Sequence, residues 1–208
     1  MSAQLLFFSG SWRSVLTLVL EAVAVMGSPG PSTMAVMATA TAFGVRQSLG
    51  FVSGAIAGTA AVLSAVATGV AALLISVPWL GSGLTIASSF YVLYLAWRIA
   101  TAPPPSKRAD GAVAPSFASG FLLAIANPKA WFAIAAVFTG ATLVESSREL
   151  DALLKAAVLA GMIVIIHFAW LIAGSSLAGF LRDPLRARIA NVLFGLILAA
   201  TIALPLIR

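Results

Sequence analysis

The chain contains no cysteine, which excludes structural disulfides, thiolate metal ligation and a dithiol electron relay. Histidine occurs once and acidic residues six times, too few to expect a dedicated transition-metal cage. Charge of either sign is scarce: 9% of residues carry one, against about 25% in a soluble domain. Apolar residues make up 61% of the chain, and the mean hydropathy is +1.07. The few charges gather between long uncharged runs, as they must if those runs cross lipid. At about 20 residues per crossing, the length accommodates about six helices and leaves no room for a separate soluble domain. The expected fold is an all-α integral membrane bundle, a single transmembrane domain over residues 1–208.

A net charge of +6 and a pI near 10.9 do not point to nucleic acid, because the basic residues are spread through short loops where they set membrane orientation. Near the N-terminus, Arg13, the apolar run 15–20 and Ala22-Val23-Ala24 mimic a secretory signal. Glu21 interrupts that run, and a proline-broken apolar stretch follows it, so the segment is expected to stay as part of the first span.

That first span, about 12–43, would be about 48 Å long as one straight helix, against a hydrocarbon core of about 30 Å. Gly27-Ser28-Pro29-Gly30-Pro31 cannot sustain a helical hydrogen-bond ladder, so the span is expected to be broken there. Freed backbone groups at membrane depth are tolerated only where protein or a water-filled cavity satisfies them. A short polar link, 44–48, leads to span two, about 49–77, where Gly50, Gly54 and Gly58 form a ridge that allows close helix approach. The ridge suits packing against a neighbouring helix, or a homodimer contact. Span three, 84 to about 100, carries Tyr91, Tyr94 and Trp97 beside Arg98, a pattern of headgroup-level anchors.

Residues 101–115, with four prolines, Lys107, Arg108 and Asp110, divide the chain into repeat 1 (about 12–100) and repeat 2 (about 116–208). Span four, about 116–143, is interrupted at Asn127-Pro128-Lys129. A charged loop containing Glu145, Arg148, Glu149, Asp151 and Lys155 precedes span five, about 153–181, and the link 182–188 precedes span six, 189 to about 207. Three spans per half mean that the halves, if related, insert with opposite orientation, and each opens with a proline-broken span. Interrupted segments in corresponding positions of two halves point to a transporter binding site. With the N-terminus outside, Arg46, Arg98, Lys107, Arg108, Arg182, Arg186 and Arg188 lie on the inner side. Arg13, Arg148, Lys155 and Arg208 then lie outside. The bias predicts both termini on the outer side of the cell's inner (plasma) membrane.

Ser28-Pro29 and Asn127-Pro128 each place a capping side chain before a proline, as at the start of a helix. A helix start offers free N–H donors and about half a positive charge, so two starts facing one another form a receptor for a carboxylate. The expected substrate-binding set is Ser28, Pro29, Gly30, Pro31, Asn127, Pro128 and Lys129. Lys129 adds a full charge, unless its side chain snorkels to an interface. Glu21 is the one acidic residue in a predicted span, about 12 Å along a helix from Pro29. It and His167, which titrates near neutrality, are the candidates for proton coupling. No metal or other cofactor is expected.

Ser-Pro-Gly-Pro at 28–31, the glycine-spaced span, Tyr94-Leu95-Ala96-Trp97 before a basic linker, and Phe117-x-x-Gly120 with Asn127-Pro128-Lys129-Ala130 together resemble the lysine-exporter (LysE/RhtB) family. The resemblance covers nearly the whole chain. It implies a six-helix inner-membrane exporter of amino acids or their relatives, driven by the proton gradient. The N-terminus is longer than in typical members, and Glu21 falls where they are usually apolar. Thr59 stands where many members carry an acidic residue, which directs the reading toward neutral amino acids. The other readings are a metal-ion exporter of the same superfamily shape, which too few clustered acids and histidines support, and a non-transporting membrane scaffold. An enzyme is not expected, because no nucleophile–base pair or metal-ligand cluster stands out.

Overall fold

The computed structural model describes residues 2–69, 113–180 and 183–206, with positions 83, 86, 89, 90, 93, 94, 96, 97, 100 and 101 between them. The end of span two (70–77), the turn at 78–82, linker residues 102–112, Tyr91, Arg98, Arg182 and Arg208 lie outside the described residues. Within them the chain is all-helical: α1 (Ser2–Glu21), a π-helical turn (Ala22–Met26), α2 (Pro31–Ala67), α3 (Phe117–Ile125), α4 (Pro128–Gly140), α5 (Arg148–Phe180) and α6 (Pro184–Leu206). The described positions from 83 to 100 are also helical.

Capping chemistry sets where these helices begin. Asn127 accepts from Lys129 N–H at 3.1 Å and Pro128 takes the first helical position of α4. Asp183 accepts from Leu185 and Arg186 N–H, both at 2.9 Å, ahead of Pro184. Ser116 accepts from Ser119 N–H at the start of α3. The last helix therefore starts inside what the sequence presented as a link, and α5 starts at Arg148, taking Asp151 and Lys155 into its first turns.

Among the described residues, two helices, Pro31–Ala67 and Arg148–Leu177, are long and apolar enough to cross a membrane, and α3 with α4 passes as a third when taken as one span bent by 61°. Gly44, with φ 73° and ψ 173°, interrupts α2, a backbone conformation that glycine adopts without steric cost. It separates limb 31–43 from limb 45–67. Thr33 and Thr59 line the same cavity, although 26 residues of straight helix would hold them about 39 Å apart. The chain therefore reverses at Gly44, at the head of the link expected at 44–48.

The second limb packs on α3 through glycine. A Cβ at Gly54 would collide with the Phe117 carbonyl, one at Gly58 would lie 2.6 Å from the Phe121 carbonyl, and one at Gly120 would collide with the Phe51 carbonyl. The contacts advance together along both helices, from Gly54–Phe117 to Gly58–Phe121, so the two run parallel. Gly50 faces open space. α5 meets the first limb as closely: Gly174 abuts the Met37 carbonyl, and Thr41 Oγ1 donates to the Gly174 carbonyl at 2.8 Å. Two apolar clusters result, one around Phe51, Leu123 and Leu171, the other around Leu18, Val62, Ile134 and Ile163. Ile56 and Trp170 pack against both.

Candidate functional site

The two proline breaks, about 100 residues apart in sequence, meet in space. Lys129 reaches from the second turn-start to the first break. Its Nζ donates to the Ser28 carbonyl at 2.6 Å, to Ser28 Oγ at 2.7 Å and to the Pro29 carbonyl at 3.0 Å. An ammonium has three N–H donors, and all three are used. Ser28 Oγ spends its own proton on the Val25 carbonyl at 2.8 Å, which leaves a lone pair for the lysine. Gly30 is where the lysine stem passes: a Cβ there would lie 2.7 Å from Lys129 Cδ and 2.9 Å from Nζ. A second bond ties the breaks together, Asn127 Nδ2 donating to Ser32 Oγ at 2.9 Å.

The helix start at the first break differs from the expectation. The cap is Gly30 and the first helical residue Pro31, in place of Ser28 and Pro29. The reason is steric, since a residue preceding proline is pushed out of the helical region, and Gly30 is fully extended at φ −170° and ψ −179°. No helix can start before Pro31. Thr33 then takes the capping role, its Oγ1 accepting from Gly30 N–H at 2.9 Å. What the first break offers Lys129 is carbonyl oxygen, the negative end of its peptide dipoles, whereas donors were expected there.

Around these contacts lies a cavity of about 430 Å³ of empty space, its open mouth included. The starts of α2 (Gly30, Ser32, Thr33) and α4 (Asn127, Lys129, Ala130) form its polar wall, with Thr59 and His167. Met26, Ala133, Ile134, Ile163 and Ile166 form the apolar wall. Among the described residues, no acidic one lines the cavity.

His167 is 4% exposed, and its Nδ1 lies 2.7 Å from the Ile163 carbonyl. A carbonyl only accepts, so Nδ1 carries the proton. Glu21 is elsewhere. It ends α1 beside Gly140, whose Cβ position is 3.1 Å from Glu21 Oε2, and Gly140 is about 17 Å along α4 from Lys129. The structure thus brings together Ser28, Pro29, Gly30, Asn127, Lys129 and His167, with Pro31 and Pro128 as the helix-starting residues, and leaves Glu21 apart.

Sequence reasoning missed several polar groups. Ser32 and Thr33 stand in the first helical turn, directly after the break, and read as ordinary helix residues. Two indoles also escaped notice: Trp170 Nε1 donates to the Gly27 carbonyl at 3.1 Å, and Trp131 Nε1 to the Ile125 carbonyl at 2.8 Å. Each satisfies a carbonyl freed by a break, which backbone in a low-dielectric setting requires. The proximity of Trp131 to Asn127-Pro128 in sequence was a usable signal; nothing local pointed Trp170 at Gly27.

A family model for LysE type translocators matches residues 23–208, both breaks included. The chain belongs to that family. No curated protein and no solved structure matches it significantly. As a LysE type translocator it is a membrane transporter that exports small molecules, and the family's members are not enzymes. The match begins at Val23, and α1 precedes it.

Proposed function

We propose that this LysE type translocator exports neutral amino acids, or related small carboxylate-bearing metabolites, from the cell across the inner membrane. The observation that carries the reading is Lys129, a cation in the wall of a cavity with no acidic lining residue, held by neutral oxygens only. A carboxylate entering there gains a full opposite charge together with the positive ends of two helix dipoles. Such a site has no counter-charge for a cationic side chain. Its apolar wall of Ile134, Ile163 and Ile166 suits an aliphatic one.

Transport by alternating access of two inverted halves is supported by the pairing of one proline break from each half at a single cavity. The parallel run of limb 45–67 and α3 fits that arrangement. Both termini face the outside in this scheme. His167 inside the cavity and Glu21 at the far end of α4 are the groups on which proton coupling rests.

Counterflow in liposomes containing the purified chain tests the reading, with labelled glycine, L-alanine, L-valine and L-leucine as substrates. Lys129→Ala is expected to lower the flux about tenfold or more, the loss of one charge-assisted contact, while the protein stays monodisperse in detergent. Unchanged flux in that variant removes Lys129 from the site. Absence of counterflow with every amino acid in the unaltered protein defeats the export reading itself.

A further inference from the structure

Lys129 accounts for one end of an amino acid; the ammonium end needs an acceptor, and the same cavity holds one. His167 Nε2 is the one buried side-chain polar atom without a hydrogen-bond partner among the described residues. Its tautomer is fixed from behind. The Nδ1 proton is committed to the Ile163 carbonyl at 2.7 Å, so in the neutral ring Nε2 bears a bare lone pair. His167 is a lining residue of the cavity that also holds Lys129, Asn127, Ser32, Thr33 and Thr59. Buried polar atoms are nearly always paired, and one that is not calls for an explanation, such as a missing ligand.

The neighbouring hydroxyls are already engaged and leave the lone pair to a ligand. Thr59 Oγ1 donates to the Ala55 carbonyl of its own helix at 2.8 Å, and Thr33 Oγ1 is turned to the Ser28 and Gly30 carbonyls. Asn127 Nδ2 gives one of its two protons to Ser32 Oγ. Lys129 has used its three protons on the first break.

Resting on the export reading above, we infer that His167 Nε2 accepts a hydrogen bond from the substrate's α-ammonium while the substrate's carboxylate lies in the field of the Lys129 charge. His167 is then the residue that distinguishes an amino acid from the same carbon skeleton without its amino group. The arrangement also makes a proton and the substrate competitors for one lone pair. Among the described residues, the charged group that shares this cavity is Lys129, and the other lining residues are uncharged. Protonation of Nε2 removes the acceptor and places a second cation beside Lys129, so substrate leaves as the proton arrives. Mutually exclusive occupancy of this kind is what exchange of substrate for protons requires.

The chain has a single histidine, so ¹⁵N-histidine labelling of the intact protein gives signals from His167 alone. At a pH where the ring is neutral, L-valine is expected to shift the Nε2 resonance, and 3-methylbutanoate, its des-amino counterpart, is expected to leave it in place. In liposomes the unaltered protein is expected to prefer L-valine over 3-methylbutanoate by about tenfold or more, the worth of one hydrogen bond to a charged group. His167→Phe is expected to abolish that preference, and His167→Gln, which keeps an acceptor, to restore part of it. An Nε2 resonance indifferent to L-valine in protein that exchanges L-valine overturns the inference and leaves the export reading standing. So does an unchanged preference in His167→Phe. Absence of exchange with every amino acid overturns both.

Discussion

At the scale of single residues, the molecule handles polar groups in an apolar bundle by committing nearly every one to a named partner. Lys129 and Asn127 knit the breaks, two indoles cap freed carbonyls, and Asp151 does similar work outside the cavity. Asp151 accepts from Leu143 N–H and from Val144 N–H at 2.6 and 3.0 Å and pairs with Lys155 at 2.7 Å. Lys155 in turn donates to the Ala141 carbonyl at 3.2 Å and lies 4.6 Å from the Phe138 ring centre. This cluster fastens the turn between α4 and α5. Asp151→Ala leaves two N–H groups and a cation without their carboxylate and should destabilise the protein by about 1–3 kcal/mol, read as a lowered unfolding midpoint in detergent. An unchanged midpoint would show that the turn holds without the carboxylate. The Asp151–Lys155 pair was visible in sequence as a charged loop, but its role was not, because the loop's backbone donors become partners only once α5 starts at Arg148.

At the scale of helices, packing is governed by where a backbone can approach a backbone. The glycine row of the second span was legible as a ridge, and the structure divides it. Gly54 and Gly58 are filled by α3, and Gly50 meets nothing within 4 Å. Gly54→Leu should therefore cost at least about 2–3 kcal/mol through overpacking, whereas Gly50→Leu should leave stability unchanged or slightly raised, since leucine is the better helix former. Equal effects of the two on the unfolding midpoint would contradict the packing described. Helix starts were partly legible. Asn127-Pro128 caps α4 as its sequence says, because one proline follows one capping residue. Ser28-Pro29 does not, because a second proline two residues on forces Gly30 into an extended conformation and delays the helix. The π-helical turn Ala22–Met26 before the break had no signature in an unbroken apolar run.

At the scale of the whole molecule, function depends on the chain folding back so that both breaks reach one cavity. The reversal at Gly44 accomplishes this for the first half. Spin labels placed at Thr33→Cys and Thr59→Cys, in a chain with no other cysteine, should lie within about 20 Å of each other, far less than the 39 Å or so of a continuous helix. A separation near the longer figure, measured by pulsed electron resonance in detergent, would refute the reversal and with it the cavity.

The sequence by itself determined the membrane class, from charge scarcity and long apolar runs; the positions of both breaks, from proline's missing donor; and the family, from motifs that span the chain. These follow from local chemistry, which every residue carries with it. Packing alone decides that Lys129 is clasped by the carbonyls of the other break, that His167, its Nε2 unpartnered, lines the same cavity, and that Glu21 stands apart at the far end of α4. Those facts depend on which helix lies against which, and that is set by glycine contacts and a single reversal rather than by any one stretch of sequence.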